Sequence, residues 1–317
     1  MSSTTLENPT AERSSGSQPE RKKRKSPLPW FLLAPTLIVL GVLTGYPLIR
    51  LIIMSFQEYE RAQLMGVPAE WVGFQNYTDI LTDPDFWTVL TRSFVFMIFC
   101  VFFTMLLGIL IALLMLRLNK GFKLLTSIGL LLAWAMPQLA TMIVFGWIFD
   151  TEYGVVNHVL TSITGNDWMG HSWLINPLSF FFVAGIAIIW QAVPFIAFTM
   201  YAGLSQVPGE VLEAAQLDGT SPFQRFRLIM VPFVRSILTV LIILSIIWDL
   251  RVFTQIFALQ GVGGISEQTN TIGTYIYQVG MAQGHYGPAS AIAVILVIIM
   301  MAISYYYVRQ TLKEEEL

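Results

Sequence analysis

The chain has 317 residues, 55% of them hydrophobic and 12% charged, against roughly 45–50% and 25% in an ordinary soluble domain. The formal charge of −2 conceals a polarity, because six of the 18 Lys and Arg residues precede Pro27 while three glutamates fall in the last six positions. Long uncharged apolar runs exclude a soluble globule, and a single cysteine, Cys100, excludes an intrachain disulfide, a CxxC redox pair and a zinc cluster.

Residues 1–29 are polar, rich in Ser, Pro and Glu, and close on the basic cluster Arg21 to Lys25. They predict a disordered cytoplasmic tail, since they hold too few apolar groups to offset ordering entropy. The cluster directly precedes an apolar run, so it reads as a topological anchor and not as a nucleic-acid patch. Six windows of about 20 apolar residues follow, near 30–56, 93–116, 124–149, 177–203, 232–258 and 287–308. The first is too long for a signal-peptide core and lacks a cleavage site behind it. None shows the period-2 alternation of a β-barrel strand. The expected fold class is therefore all-α: a polytopic membrane protein whose permease domain, 30–309, holds six transmembrane helices, followed by a short cytoplasmic tail at 310–317.

Placing the N-terminus inside puts 1–29, 117–123, 204–231 and 309–317 on one side, with six, three, two and two basic residues, and Arg235 beside them. That side then carries 14 of the 18. The opposite loops, 57–92, 150–178 and 259–288, contain only Arg61 and Arg92. The positive-inside rule selects N-in, C-in. Trp30, Trp71, Trp87, Trp147 and Trp173 fall near span ends, as an interfacial belt of aromatic residues requires.

The longest inside loop, 204–231, reads as two short helices around a tight turn. Pro208 suits a first turn, Glu213-Ala214-Ala215 are good helix formers, and Asp218-Gly219 can close the helix with positive φ. Ser221, Pro222 and Gln224 then form a capping box with proline at the first helical position, opening a second helix toward Pro232. Glu213, Ala214, Ala215, Gly219, Ile229 and Pro232 stand at the spacings of the EAA loop. In this the chain resembles the permeases of bacterial ATP-binding-cassette importers. Thr220 and Val231 depart from the usual Ala and Leu. The resemblance covers residues 30–309 and extends to the carbohydrate-uptake, maltose-type "F" branch. It is carried there by Trp71 to Tyr77, by Trp134 to Pro137 with Trp147, Gly154 and Asn157, and by Gln255 through Gly263-Gly264 to Thr269 and Tyr275-Ile-Tyr277, with Ile265 where Pro is common.

The resemblance implies a multi-pass protein of the bacterial plasma (inner) membrane that pairs with a second six-span permease chain to form a pore. It implies an ATPase subunit pair that binds the ATP and Mg, an extracytoplasmic sugar-binding protein, and coupling to the ATPase through Glu213, Ala214, Ala215, Asp218 and Gly219. In agreement, no G-x-x-x-x-G-K-[ST] loop occurs in the chain, so no cofactor and no catalytic or metal site is expected here.

Polar groups at membrane depth are costly and default to functional candidates. Asp249 and Arg251 lie deep in the fifth window, where two readings stand: a sugar-facing wall with Ser245, Trp248 and Gln255, or a structural bridge to another helix. Gln191 beside Trp190 pairs an amide with an indole, a combination suited to a polyol; Gln138 near Trp134 reads as an interhelical bridge. His158, His171 and His285 read as solvated, and Cys100 as packing. The alternative function is an ion-gradient-driven secondary transporter, for which only Asp249 offers a coupling group; a purely scaffolding membrane protein is a third.

Overall fold

A computed structural model of the chain describes residues 28–315; the expected tail at 1–29 lies almost wholly outside them. The chain divides into two units, 1–49 and 50–317. The first holds α1 (Leu28–Leu40), one π-helical turn at Gly41–Gly45, and the start of α2 (Tyr46–Ser55).

The second unit continues through β1 (Gln57–Glu58), α3 (Arg61–Leu64), β2 (Glu70–Trp71) and α4 (Gln75–Thr82), the two strands forming a small antiparallel pair with Gln57 opposite Trp71. The fold is thus mostly helical but not purely so. α5 (Pro84–Arg117) opens on Asp83, whose carboxylate accepts the Asp85 N–H at 2.9 Å, with Pro84 at the first helical position. It begins nine residues before the apolar window at 93, so Arg92 lies inside a helix and not in a loop. α6 (Lys120–Ala135) is capped by Asn119, and α7 (Gln138–Ile148) follows it at a bend of 101°. The expected single span at 124–149 is therefore a broken pair. α8 (Val155–Thr164) closes on Gly165 at φ +71°. α9 (Pro177–Leu204) repeats the α5 device, with Asn176 accepting from the Leu178 N–H.

α10 (Gly209–Leu217), α11 (Pro222–Arg225), a π-helical turn at Phe226–Met230 and α12 (Val231–Phe233) make up the loop region. α13 (Arg235–Leu250) leaves them at a bend of 78°, and the chain breaks again before α14 (Thr254–Val262). The expected span 232–258 is therefore interrupted at 251–253. α15 (Ser266–Thr269), α16 (Ile272–Tyr277), a π-helical turn at Gln278–Ala282 and α17 (Tyr286–Glu315) complete the chain. By length and composition the described residues offer four helices able to cross a membrane, or up to six if each bent pair counts as one.

The packing centre is the α5–α9 crossing. Gly108 lets the two backbones approach, and Cys100, Ala112, Ala184, Ala187 and Ala197 are fully buried around it. Small residues are what close helix contact in lipid requires, because burial of apolar surface gives no drive there. At one end, a collar of hydrogen bonds ties the strand pair to the last helices. Asn76 Nδ2 donates to the Ser55 and Gln57 carbonyls at 3.0 and 2.9 Å. Arg61 donates to Ala282 O at 2.6 Å, and the Gly287 N–H to Tyr59 O at 2.9 Å. His285 is more than a solvated side chain: its Nδ1 lies 2.9 Å from Glu60 Oε1.

In the same collar the Tyr275 hydroxyl donates to Asp83 Oδ2 at 3.2 Å, and burial, then the Asp83 charge, push its phenol up to about 12. The folded value lies above the ordinary 10.0. The contribution is therefore complete below that value and lost as pH rises through the folded one. Alkaline loosening of the collar, followed by proteolysis of 57–83, should start above about pH 10 and lose this component in Tyr275→Phe.

Candidate functional site

Both helix breaks open onto one cavity of about 600 Å³. Trp134, Pro137 and Gln138 come from the α6–α7 elbow, Gln191 and Phe195 from α9, and Trp248 and Asp249 from the end of α13. Arg251, Phe253, Thr254 and Gln255 come from the second break. A proline marks the elbow: Pro137 has no N–H to continue the helix, and Met136 before it is held extended at ψ 129°. No such residue marks the second break, whose freed Val252 carbonyl accepts from the Thr271 hydroxyl at 3.2 Å.

The cavity gathers Gln191, Trp248, Asp249 and Gln255 among the expected substrate-path residues. Trp190 and Ser245 are elsewhere. Trp190 stacks at a tilt on Phe145, 5.8 Å between centroids, and Ser245 is buried one turn before Asp249. Gln138 faces the cavity along with Trp134, where an interhelical bridge was expected. Asp249 is buried and Arg251 exposed, and among the described residues no ion pair joins them. Trp248 packs edge-on against Phe195 at 5.3 Å. Aromatic walls with amide, hydroxyl, carboxylate and guanidinium groups between them suit a polar solute with apolar C–H faces. Sequence reasoning missed Phe195, Phe253 and Thr254, which carry no polar signal of their own or sit in a break that hydropathy averages away.

The 204–231 loop is the second site. α10 presents Glu213 and Ala214 outward and buries Ala215. It ends on Asp218, and Gly219 follows at φ +78°. The turn is closed by Thr220, whose N–H and hydroxyl both donate to Ala215 O, at 3.1 and 2.5 Å. The capping box is present: the Gln224 N–H donates to Ser221 Oγ at 3.3 Å and the Ser221 N–H to Gln224 Oε1 at 2.7 Å. Arg225 donates to Gln216 Oε1 at 2.9 Å, tying α11 to α10. The second helix is shorter than expected, since it passes into a π-helical turn after Arg225. Leu217, Phe223 and Leu228 stand exposed on this ordered turn, the kind of apolar exposure found at protein interaction sites.

Broken apolar helices around a polar cavity and a rigid helical loop define a multi-pass membrane permease. Residues 104–313 match the family described as "Binding-protein-dependent transport system inner membrane component". The chain belongs to that family and is a component of the inner membrane. It is 39% identical to the diacetylchitobiose uptake system permease protein DasB of Streptomyces coelicolor over 91% of this chain and 88% of the relative. Identity is 32% to the sulfoquinovosyl glycerol transport system permease protein SmoG of Agrobacterium fabrum, covering 88% of both chains. It is 31% to the trehalose/maltose transport system permease protein MalF of Thermococcus litoralis, over 91% of this chain and 95% of that one. The fold is that of a chain in the solved bacterial alginate ABC transporter complex with an alginate pentasaccharide-bound periplasmic protein. The TM-score is 0.75 at 22% identity, covering 88% of this chain and 92% of that one.

Proposed function

We propose that the chain is one of two permease subunits of an ATP-driven, binding-protein-dependent sugar importer. It forms half of the translocation pore and couples to a cytoplasmic ATPase pair through Glu213, Ala214, Ala215, Asp218 and Gly219. Counting each bent pair as one span gives six, and the distribution of Lys and Arg orients both ends inward. The permease domain is then 30–309, with cytoplasmic tails on either side. ATP and Mg belong to the ATPase chains, and an extracytoplasmic binding protein delivers the solute.

The observation that carries the reading is the cavity at the two helix breaks, because irregular backbone at membrane depth is tolerated where it lines a transport path. The relatives' names point to carbohydrates, and the indoles of Trp134 and Trp248 beside Gln138, Gln191 and Gln255 fit one. Alternating access follows when closure of the ATPase pair moves the docking loop, which the α10–α11 tie makes a single rigid lever leading into α13.

Purification from the native membrane should bring down a P-loop ATPase and a second six-span chain, and uptake of a labelled saccharide should vanish when that ATPase is deleted. Uptake that survives the deletion and collapses with an ionophore would establish the ion-gradient transporter instead. Asp249→Asn keeps size and hydrogen bonding but removes charge; it should raise the half-saturation for uptake about tenfold at wild-type expression, the difference between a charge-assisted and a neutral hydrogen bond. Unaltered uptake would remove Asp249 from the path, and loss of the partner chain would make it structural.

A further inference from the structure

Gln191 is the one polar side chain of α9 in the cavity wall, and its amide nitrogen lies 2.6 Å from the Met136 carbonyl. A carbonyl only accepts, so the amide must present its N–H₂ to Met136, whichever way its two ends would be assigned by eye. That carbonyl sits at the elbow. The helix ends at Ala135 and Pro137 supplies no N–H, so this carbonyl, at a half-buried position, is freed from the helical ladder and takes its donor from elsewhere. The next carbonyl, Pro137 O, is taken by the Thr141 N–H and hydroxyl of α7 itself. The Met136 carbonyl is met from another helix, 55 residues away in sequence.

The second break carries the same device, with the Thr271 hydroxyl on Val252 O. By contrast Pro194 lies inside an unbroken α9. A proline alone therefore does not make an elbow in this fold.

We propose that Gln191 is a positioning residue that holds the 101° elbow between α6 and α7 by its hydrogen bond to Met136 O, and so keeps Trp134 and Gln138 in the cavity wall. This rests on the permease reading for its consequence in transport, but the elbow itself can be measured without any substrate. Spent on the backbone, the Gln191 amide nitrogen acts on the solute through the wall it holds.

The experiment is a distance measurement by pulsed electron resonance on the full purified complex. Spin labels are placed at Leu125→Cys and Trp147→Cys, two exposed positions flanking the elbow, in a Cys100→Ser background. In the parent, the distance should be narrow and well below the roughly 33 Å that an unbroken helix would span between them. Q191L should broaden and lengthen it and lower the maximal uptake rate about tenfold, the scale of one lost hydrogen bond to a half-buried carbonyl. Q191E keeps the size and an acceptor oxygen but donates only when protonated, so its distance should return to the parent value on acidification. That reversal is something a bulk packing role would not produce. If both variants keep the parent distance at every pH and alter only the half-saturation for uptake, Gln191 is a solute contact and the proposal is wrong. A parent complex with the expected distances but no sugar uptake would fail the permease reading and leave the elbow standing.

Discussion

Gly219→Val is expected to abolish most ATP-driven uptake while leaving the chain inserted in the membrane. Gly219 holds φ +78°, and the space around its missing Cβ is open. The penalty is therefore purely conformational: a β-branched residue in the left-handed region costs on the order of 1–3 kcal/mol, which shifts the turn about 5- to 150-fold toward other geometries. The turn sets the angle between α10 and α11, so the strain would be relieved by breaking the Thr220 bonds to Ala215 O or the Arg225 tie to Gln216. Either removes the rigid surface that carries Glu213 and Ala214 in the proposed docking loop. Gly219→Asn, which tolerates positive φ, should retain a substantial part of the activity. Full uptake by the valine variant, at normal levels of the co-purified ATPase, would sink the docking-loop reading.

Gly108→Val should do more: it should remove the assembled protein. A Cβ at Gly108 would stand 2.5 Å from Ile196 Cγ2 and 2.6 Å from Ile196 Cβ, with the Ala197 backbone nitrogen at 3.4 Å. The branched end of Ile196 cannot swing aside, because it is fully buried among Met105, Ala112 and Met200. Overpacking of this kind costs about 1–3 kcal/mol or more, and here it pushes apart α5 and α9, the two helices that cross at the packing centre. Membrane-extracted protein by fluorescence-detected chromatography should fall several-fold. Gly108→Ala combined with Ile196→Ala should recover much of it, because the second change vacates the space the first one fills. A valine variant with wild-type yield would show that the α5–α9 crossing is looser than described.

Much of this was legible in the sequence for a local reason. Caps, turns and capping boxes are decided within four residues, so Ser221-x-x-Gln224 and the turn at Gly219 could be read directly. Several residues of the family resemblance turn out to be structural. Asn157 donates to the Asp150, Thr151 and His171 carbonyls while accepting from Trp173 Nε1 at 2.6 Å. Gly154 is glycine because a Cβ there would collide with the Asp150 carbonyl. Asn76 caps the backbone at Ser55 and Gln57. The two helix breaks were not legible. Hydropathy averages over about 20 residues, whereas a break depends on a donor arriving from far along the chain, Gln191 of α9 for one and Thr271, the cap of α16, for the other. Asp249 and Arg251 stood out as charges, but only the break between them and α14 makes them neighbours of Trp134 and Gln138.

In the proposed importer the solute passes through the cavity where the two breaks meet. Thr254 lies on its exposed wall, so the most direct measurement is the rate at which a small hydrophilic thiol reagent modifies Thr254→Cys in a Cys100→Ser background during ATP-driven turnover. A saturating transported saccharide should slow that rate several-fold and leave a cysteine at the exposed loop residue Asn166 unaffected. Equal rates at position 254 with and without saccharide, in a transporter that still imports it, would contradict the claim.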